Sequence, residues 1–195
     1  MKNLSIIFAT VLFFAGATVS NAQDSNSAVH TVGITISTVA LVDIKSTGGS
    51  TNIAITPTAP TFAGDGLSFA EDTKNSTLWL NYSSIVASGT RNITAAITAT
   101  TLPSGLSLQL AATTVATTGS QGTLGTTSLA AATTLSSNSA TATTVITGIG
   151  SCHTSKGKSK GSNLTYSVIV NEDNYASLVA ASYVATVTYT ITDEI

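Results

Sequence analysis

Cys152 and His153 are the two side chains with the widest chemical reach in this chain, and they are adjacent. A thiol beside an imidazole could serve as a nucleophile with its base, or as the start of a metal site. Zinc needs three or four ligands, yet the only other histidine is His30, far toward the N-terminus, and no second cysteine or His-x-His spacing exists. A Cys-His dyad would also need an orienting group and a pocket. We therefore expect no catalytic residue, no metal and no cofactor. The simpler account of Cys152 is a small buried hydrophobe or an unreactive loop thiol, with pairing to another chain as the alternative.

The carboxylates come in pairs, Glu71-Asp72, Glu172-Asp173 and Asp193-Glu194. Glycoside hydrolysis needs two carboxylates facing each other across a cleft, whereas consecutive acids in turns or at a terminus are ordinarily solvated. Calcium ligation by Glu71, Asp72, Glu172 and Asp173 would lack the Asp-x-Asp-x-Asp-Gly loop. Lys156-Gly157-Lys158-Ser159-Lys160-Gly161 is the one basic cluster. It could touch an anionic surface such as polysaccharide or lipid headgroups, or simply be a mobile hairpin loop. Trp79 with Tyr82, or Tyr183 with Tyr189, could present aromatic faces to a sugar, the alternative being that they anchor the core. Asn75, Asn81, Asn92 and Asn163 each begin an Asn-x-Ser/Thr triplet. In a chain about a third Ser and Thr such triplets arise by chance and carry no weight.

These groups sit in a chain of 195 residues with 43% hydrophobic and only 8% charged residues, at a net charge of -2. Seven Lys and Arg cannot build a phosphate-tracking surface, which excludes a nucleic-acid binder relying on a basic face. The abundant Val, Ile, Leu and Ala argue against charge-driven disorder. Lys2, the apolar run from Leu4 to Ser20 and the small residues of Ser20-Asn21-Ala22 match a cleavable export signal over 1–22, cut after Ala22. No later run reaches membrane-spanning length, so no transmembrane segment is expected in the mature chain. The expected product is an exported protein at the cell surface, outside the cell or in a periplasm. A single cysteine leaves its one domain, 23–195, to be held by a hydrophobic core.

The elements that must position these side chains read as strands. Val32, Ile34 and Ile36 alternate after a loose segment at 23–28, and Val39 to Ile44 follows as a strand or as the continuation of a bent one. Alternation resumes in Asn52 to Thr56, in Thr77 to Tyr82, with Trp79 opposite in face to Leu78, Leu80 and Tyr82, and in Arg91 to Ala99. Leu106, Leu108 and Leu110 follow the Leu102-Pro103-Ser104-Gly105 turn, which suggests that these two runs are adjacent antiparallel strands. The Thr/Ala/Ser-rich stretch 111–140 reads as short edge strands and loops, with sparse apolar positions at Val115, Leu124, Leu129 and Leu135. Thr141 to Ile149, Asn163 to Val170 and Tyr183 to Thr192 complete the set, and Asn174 to Ala180 could form one helical turn. Seven to nine strands with a threonine-rich outer face predict an all-β, antiparallel β-sandwich, Ig-like or pilin-like, in a single domain.

The closing run Ser182-Tyr183-Val184-Ala185-Thr186-Val187-Thr188-Tyr189-Thr190-Ile191-Thr192-Asp193 resembles the last strand of exported bacterial β-sandwich proteins of the pilin-like and spore-coat-protein-U-like kind. It also resembles the end of WxL surface domains, with Tyr189-Thr190-Ile191 where those carry Trp-x-Leu, although Trp79-Leu80 does not reproduce their first motif. The resemblance implies a structural or adhesive surface protein, such as a pilus or filament subunit whose N-terminal segment completes a neighbour's sheet. Val32, Ile34 and Ile36 would then be the donor-strand residues, the alternative being the first strand of their own domain. The second reading is a secreted carbohydrate-binding module that uses Trp79 and neighbouring tyrosines such as Tyr82. The expected partners are another copy, a surface protein or a polysaccharide.

Overall fold

Strand β2, Asn75–Ile85, shows how the alternation is used. Leu78, Leu80, Tyr82 and Ser84 turn inward and are buried, while Trp79 and Ser83 on the opposite face remain partly exposed. β1 (Val39–Ser46) runs antiparallel along one side of β2, placing Ile44 opposite Leu80 and Val42 opposite Tyr82. The other side of β2 is shared between β10 (Ser162–Val170) at its start and β9 (Cys152–His153) near its end. β10 in turn pairs with β4 (Leu106–Ala112), so that Tyr166, Val168 and Val170 face Leu110, Leu108 and Leu106 in register. The short strands β5 (Gln121–Gly122) and β7 (Thr133–Thr134) complete a seven-stranded sheet in the order β5-β9-β2-β10-β4-β7, with β1 on β2.

The second sheet has the order β11-β3-β8-β6. Its members are β3 (Arg91–Thr100), β6 (Thr126–Thr127), β8 (Thr143–Ile149) and β11 (Ala185–Asp193). Ile93, Ala95 and Ile97 of β3 lie beside Ile191, Tyr189 and Val187 of β11 and turn toward the first sheet. The structure, a computed structural model, describes residues 27, 29–69, 73–136 and 141–194. Among the described residues there are eleven strands in two antiparallel sheets, an all-β sandwich as expected, with more strands than the seven to nine anticipated. Beyond the seven longer strands, β5, β6 and β7 fall in the 111–140 stretch expected to hold short edge strands, and β9 is two residues long and too short to leave a periodic signal.

The chain divides into a unit of 1–35 and a unit of 36–195, and both sheets belong to the second. The expected leader 1–22 lies outside the described residues, as does most of 23–28. The strand expected through Val32 and Ile34 is not made in the first unit, nor does Ile36 join one in the second. Alternation supplies an apolar face, but a strand also needs a neighbour for its N–H and C=O groups. Asn52 to Thr56 likewise has no ladder, although Ile53 and Ile55 pack against the core.

A further correction concerns β3 and β4, which are not adjacent strands but members of opposite sheets. The turn closed by Leu106 N–H to the Pro103 carbonyl (3.0 Å) carries the chain across the sandwich. The Thr/Ala/Ser-rich stretch then binds the two sheets together. Ala112 N–H donates to Leu129 and Leu135 N–H to Leu108 in one sheet, while Ser128 N–H donates to Val145 and Ile97 N–H to Ser136 in the other. Its sparse apolar residues Val115, Leu129 and Leu135 are buried in the core and Leu124 packs against it.

Along the β1 and β11 side each sheet ends in an edge, since among the described residues β1 pairs only with β2 and β11 only with β3. One end of this side is tied by Arg91, a buried guanidinium. Its Nε donates to Asp193 Oδ1 at 2.7 Å, and its Nη1 to the Val39 carbonyl, to Ser84 Oγ (3.3 Å) and to the Ile85 carbonyl (3.3 Å). One side chain thus joins β3 and β11 to β1 and β2. Desolvating the cation is tolerable because all these acceptors converge on it.

Candidate binding site

β9 sends its two side chains, Cys152 and His153, to opposite faces of the sheet. Cys152 faces inward and packs on the core, whereas His153, one residue on, lies outward and exposed. Burial pushes the Cys152 thiol up, with a backbone hydrogen bond at Ser84 pulling weakly the other way, so the thiolate is disfavoured. His153 Nδ1 accepts the Ser155 N–H at 3.3 Å. Among the described residues no group of three or more His, Cys, Asp or Glu is placed to hold a metal.

The carboxylate pairs are equally separate. Glu172 and Asp173 open a short 3₁₀ helix, Glu172–Ser177, capped by Asn171, whose side chain accepts the Asp173 N–H. That helix follows β10 at the start of β4, where Asn171 N–H donates to the Gly105 carbonyl. Asp193 lies at the near end of β3 with Arg91, and the Glu194 carboxylate beside it accepts the Thr90 hydroxyl. Glu71 and Asp72 lie outside the described residues.

Trp79 and Tyr82 occupy opposite faces of β2 and form no common platform. Tyr82 is buried with its hydroxyl donating to the Leu124 carbonyl at 2.5 Å, and burial holds that hydroxyl well above the ordinary tyrosine range. Tyr183 is engaged with the backbone of Val179, while the Tyr189 hydroxyl meets that of Tyr166 at 2.6 Å between the sheets. Trp79 alone remains on an outer face, with Lys45 of β1 and Asn163 of β10 as its cross-strand neighbours.

That outer face carries a hollow of about 360 Å³ formed by β1, β2, β9 and the loop after β9. Rows across the sheet define its floor: Leu41, Ser83 and His153 make one, and Asp43 with Asn81 the next. Lys45 Nζ meets Asp43 Oδ2 at 2.5 Å, the two being on the same face of β1 two residues apart. Ser155, Lys156 and Gly157 form the wall. Asn81 fixes that wall, since its Nδ2 donates to the Gly157 carbonyl at 2.8 Å. Its Oδ1 is buried, next to Gly161, with no hydrogen-bond partner among the described residues. Gly161 has φ +74°, and a Cβ there would stand 2.0 Å from the Leu80 carbonyl, so only glycine lets the loop return this close to β2. A second hollow of about 430 Å³, lined by Val39, Gln121 and Ser151 among others, shares Ser83 and His153 with the first.

The basic loop supplies cations to this face. Lys160 Nζ donates to the Thr118 carbonyl at 3.1 Å, whereas Lys156 and Lys158 have no ion-pair partner among the described residues. Reading the sequence does not assemble the hollow, because its residues come from three segments, 41–45, 81–83 and 153–157. The available signal was the outward parity of Asp43, Lys45, Asn81 and Ser83, polar positions opposite the apolar alternation. Asn81, one of the Asn-x-Ser/Thr triplets, is buried and engaged in this packing.

The expected donor residues are elsewhere. Val32, Ile34 and Ile36 are 69%, 83% and 74% exposed, and no strand includes them. No family model matches this chain, and neither the curated proteins nor the solved structures contain a match.

Proposed function

We propose that this is an exported, non-enzymatic structural or adhesive protein of the cell surface that assembles by β-strand addition between copies. The observation that carries the reading is the unpaired, exposed run with Val32, Ile34 and Ile36 at alternate positions, in a chain whose sheets both end in single-partnered strands. A period-two apolar segment with no ladder of its own suits addition to another copy's sheet edge. β11 is the better acceptor. Its nine residues carry no lysine or proline, only Asp193 at the end, so charge does not guard the edge. Its core-side residues Val187, Tyr189 and Ile191 are only partly buried, leaving apolar surface for an added strand to cover. β1 is guarded by Asp43 and Lys45.

The test is light scattering with size-exclusion chromatography, with negative-stain microscopy of the same fractions. The expected result is concentration-dependent oligomers or filaments that disappear when 23–37 is deleted, while the β-sheet circular dichroism is retained. A monomer at all concentrations with 23–37 present would overturn assembly by this route.

A second reading, glycan binding, is favoured by Trp79, whose outer-face position leaves it beside polar and basic neighbours rather than in the core.

A further inference from the structure

We propose that the hollow over β1, β2 and β9 binds a carboxylate-bearing polysaccharide, of the uronic-acid class, in an extended conformation. It rests on the glycan-binding reading of the Trp79 face, for which it names the class of sugar, and uses none of the residues of 29–37.

Charge is the first reason. Although the chain carries a net charge of -2, four of its seven basic side chains, Lys45, Lys156, Lys158 and Lys160, lie in this hollow or on its wall loop. Among the described residues the one carboxylate lining it, Asp43, is already held by Lys45. Lys156 and Lys158 have no carboxylate partner among the described residues, so the wall presents uncompensated positive charge.

Hydrogen-bonding chemistry is the second. Ser83, His153 and Ser155 line the hollow between the cations, offering donors and acceptors suited to hydroxyl groups. With Nδ1 accepting from Ser155, a neutral His153 has Nε2–H as a donor. Asp43 offers acceptor oxygens, as sugar recognition requires.

Shape is the third. Trp79 is the next outward position along β2 after Asn81, about 7 Å away, and its ring provides an apolar surface for a sugar face. The hollow shares Ser83 and His153 with a second one, so the outer positions 79, 81 and 83 of β2 follow one another along a single line. Seven basic residues are too few for a nucleic-acid track.

Trp79 is the sole tryptophan, so its fluorescence reports on this face alone. The purified full chain would be titrated with a galacturonic-acid hexasaccharide, with a neutral cello-hexasaccharide, and with phosphatidylglycerol vesicles. The expected result is a saturable Trp79 change with the acidic hexasaccharide that weakens with salt. Lys156→Glu should weaken it roughly tenfold or more, because an attractive charge becomes a repulsive one. Lys74→Glu, which changes the net charge equally but lies outside the hollow, should leave it in place. Lys156 is exposed, so its variant should fold, and circular dichroism verifies this. Absence of a saturable change, equal binding of the neutral sugar, an unaffected Lys156→Glu variant, or a response to vesicles alone would each overturn the proposal. Such a failure would leave strand-addition assembly standing, since that is read from oligomer size.

Discussion

Two stretches of this chain carry the same apolar alternation and meet different fates. Val187, Tyr189 and Ile191 lie on β11, hydrogen-bonded to β3 and packed on the core. Val32, Ile34 and Ile36 have no ladder and remain exposed. Both runs are rich in β-branched residues, so intrinsic preference does not separate them. Position does: β3 lies beside β11 as its partner, and its start holds Arg91, which grips Asp193 directly opposite it at the end of β11. Alternation therefore specifies which side chains share a face, and a neighbouring backbone decides whether that face becomes part of a sheet.

The strongest way to break the contrast is to remove the grip. Arg91→Ala deletes a buried cation and strands the acceptors at Val39, Ser84 and Ile85. The expected loss is about 3–5 kcal/mol in urea unfolding, since each bond to a charged donor is worth about 1.5–3 kcal/mol and the Ser84 hydroxyl lies fully inside. Asp193→Asn, at a site 77% exposed, should cost about 1 kcal/mol or less. Equal costs would show that the pair acts as a surface contact and does not join the sheets.

A sharper comparison places the same charge in both stretches. Val187→Asp forces a carboxylate toward the core, with an expected destabilisation of about 2–4 kcal/mol. Ile34→Asp should stay within about 0.5 kcal/mol while suppressing oligomers. If Ile34→Asp destabilised the monomer as much as Val187→Asp, residue 34 would belong to the fold of its own chain.

The same distinction separates what could be read in the sequence from what could not. Leu106, Leu108 and Leu110, like Leu164, Tyr166, Val168 and Val170, were legible as strands because apolar side chains recur at period two, and Leu108, Leu110, Leu164 and Tyr166 pack in the core. Even Val115, Leu129 and Leu135 stood out in a Thr/Ala/Ser background and are buried. The partners were not legible. Leu102-Pro103-Ser104-Gly105 has the composition of a hairpin turn, yet it bridges two sheets, since a turn's chemistry fixes its bend and not its destination. The hollow was hidden for a related reason: Asp43, Asn81 and His153 meet only once β1, β2 and β9 are in register.

A smaller effect tests how the partly buried side of β11 is held. The Tyr166 and Tyr189 hydroxyls bond to each other between the sheets. Tyr166→Phe leaves the Tyr189 hydroxyl unpaired and should cost about 1–2 kcal/mol. The double change to phenylalanine removes both polar groups and should cost less than the sum of the single changes. Strict additivity in a double-mutant cycle would mean that the two hydroxyls do not act as a pair.

The same pair sets an alkaline limit. Burial pushes the Tyr166 hydroxyl up to about 12 and that of Tyr189 well above its ordinary value of 10.0. From pH 10 upward the unfolded chain therefore releases protons that the folded chain retains, so stability must fall as pH rises. The contribution is fully present below pH 10 and is lost on passing about pH 12. At pH 11 Tyr166 alone should account for a loss of about 1 kcal/mol relative to pH 9. Urea midpoints taken from pH 8 to pH 11.5 should decline less steeply in the double phenylalanine variant than in the parent. A residual slope should persist, because Cys152 and Tyr82 are also pushed up by burial. Parallel profiles for parent and variant would mean that neither hydroxyl stays protonated in the folded state at these pH values. That would place the β11 side of the core in contact with water, and the contrast between the closing strand and the unpaired N-terminal run would lose its basis in burial.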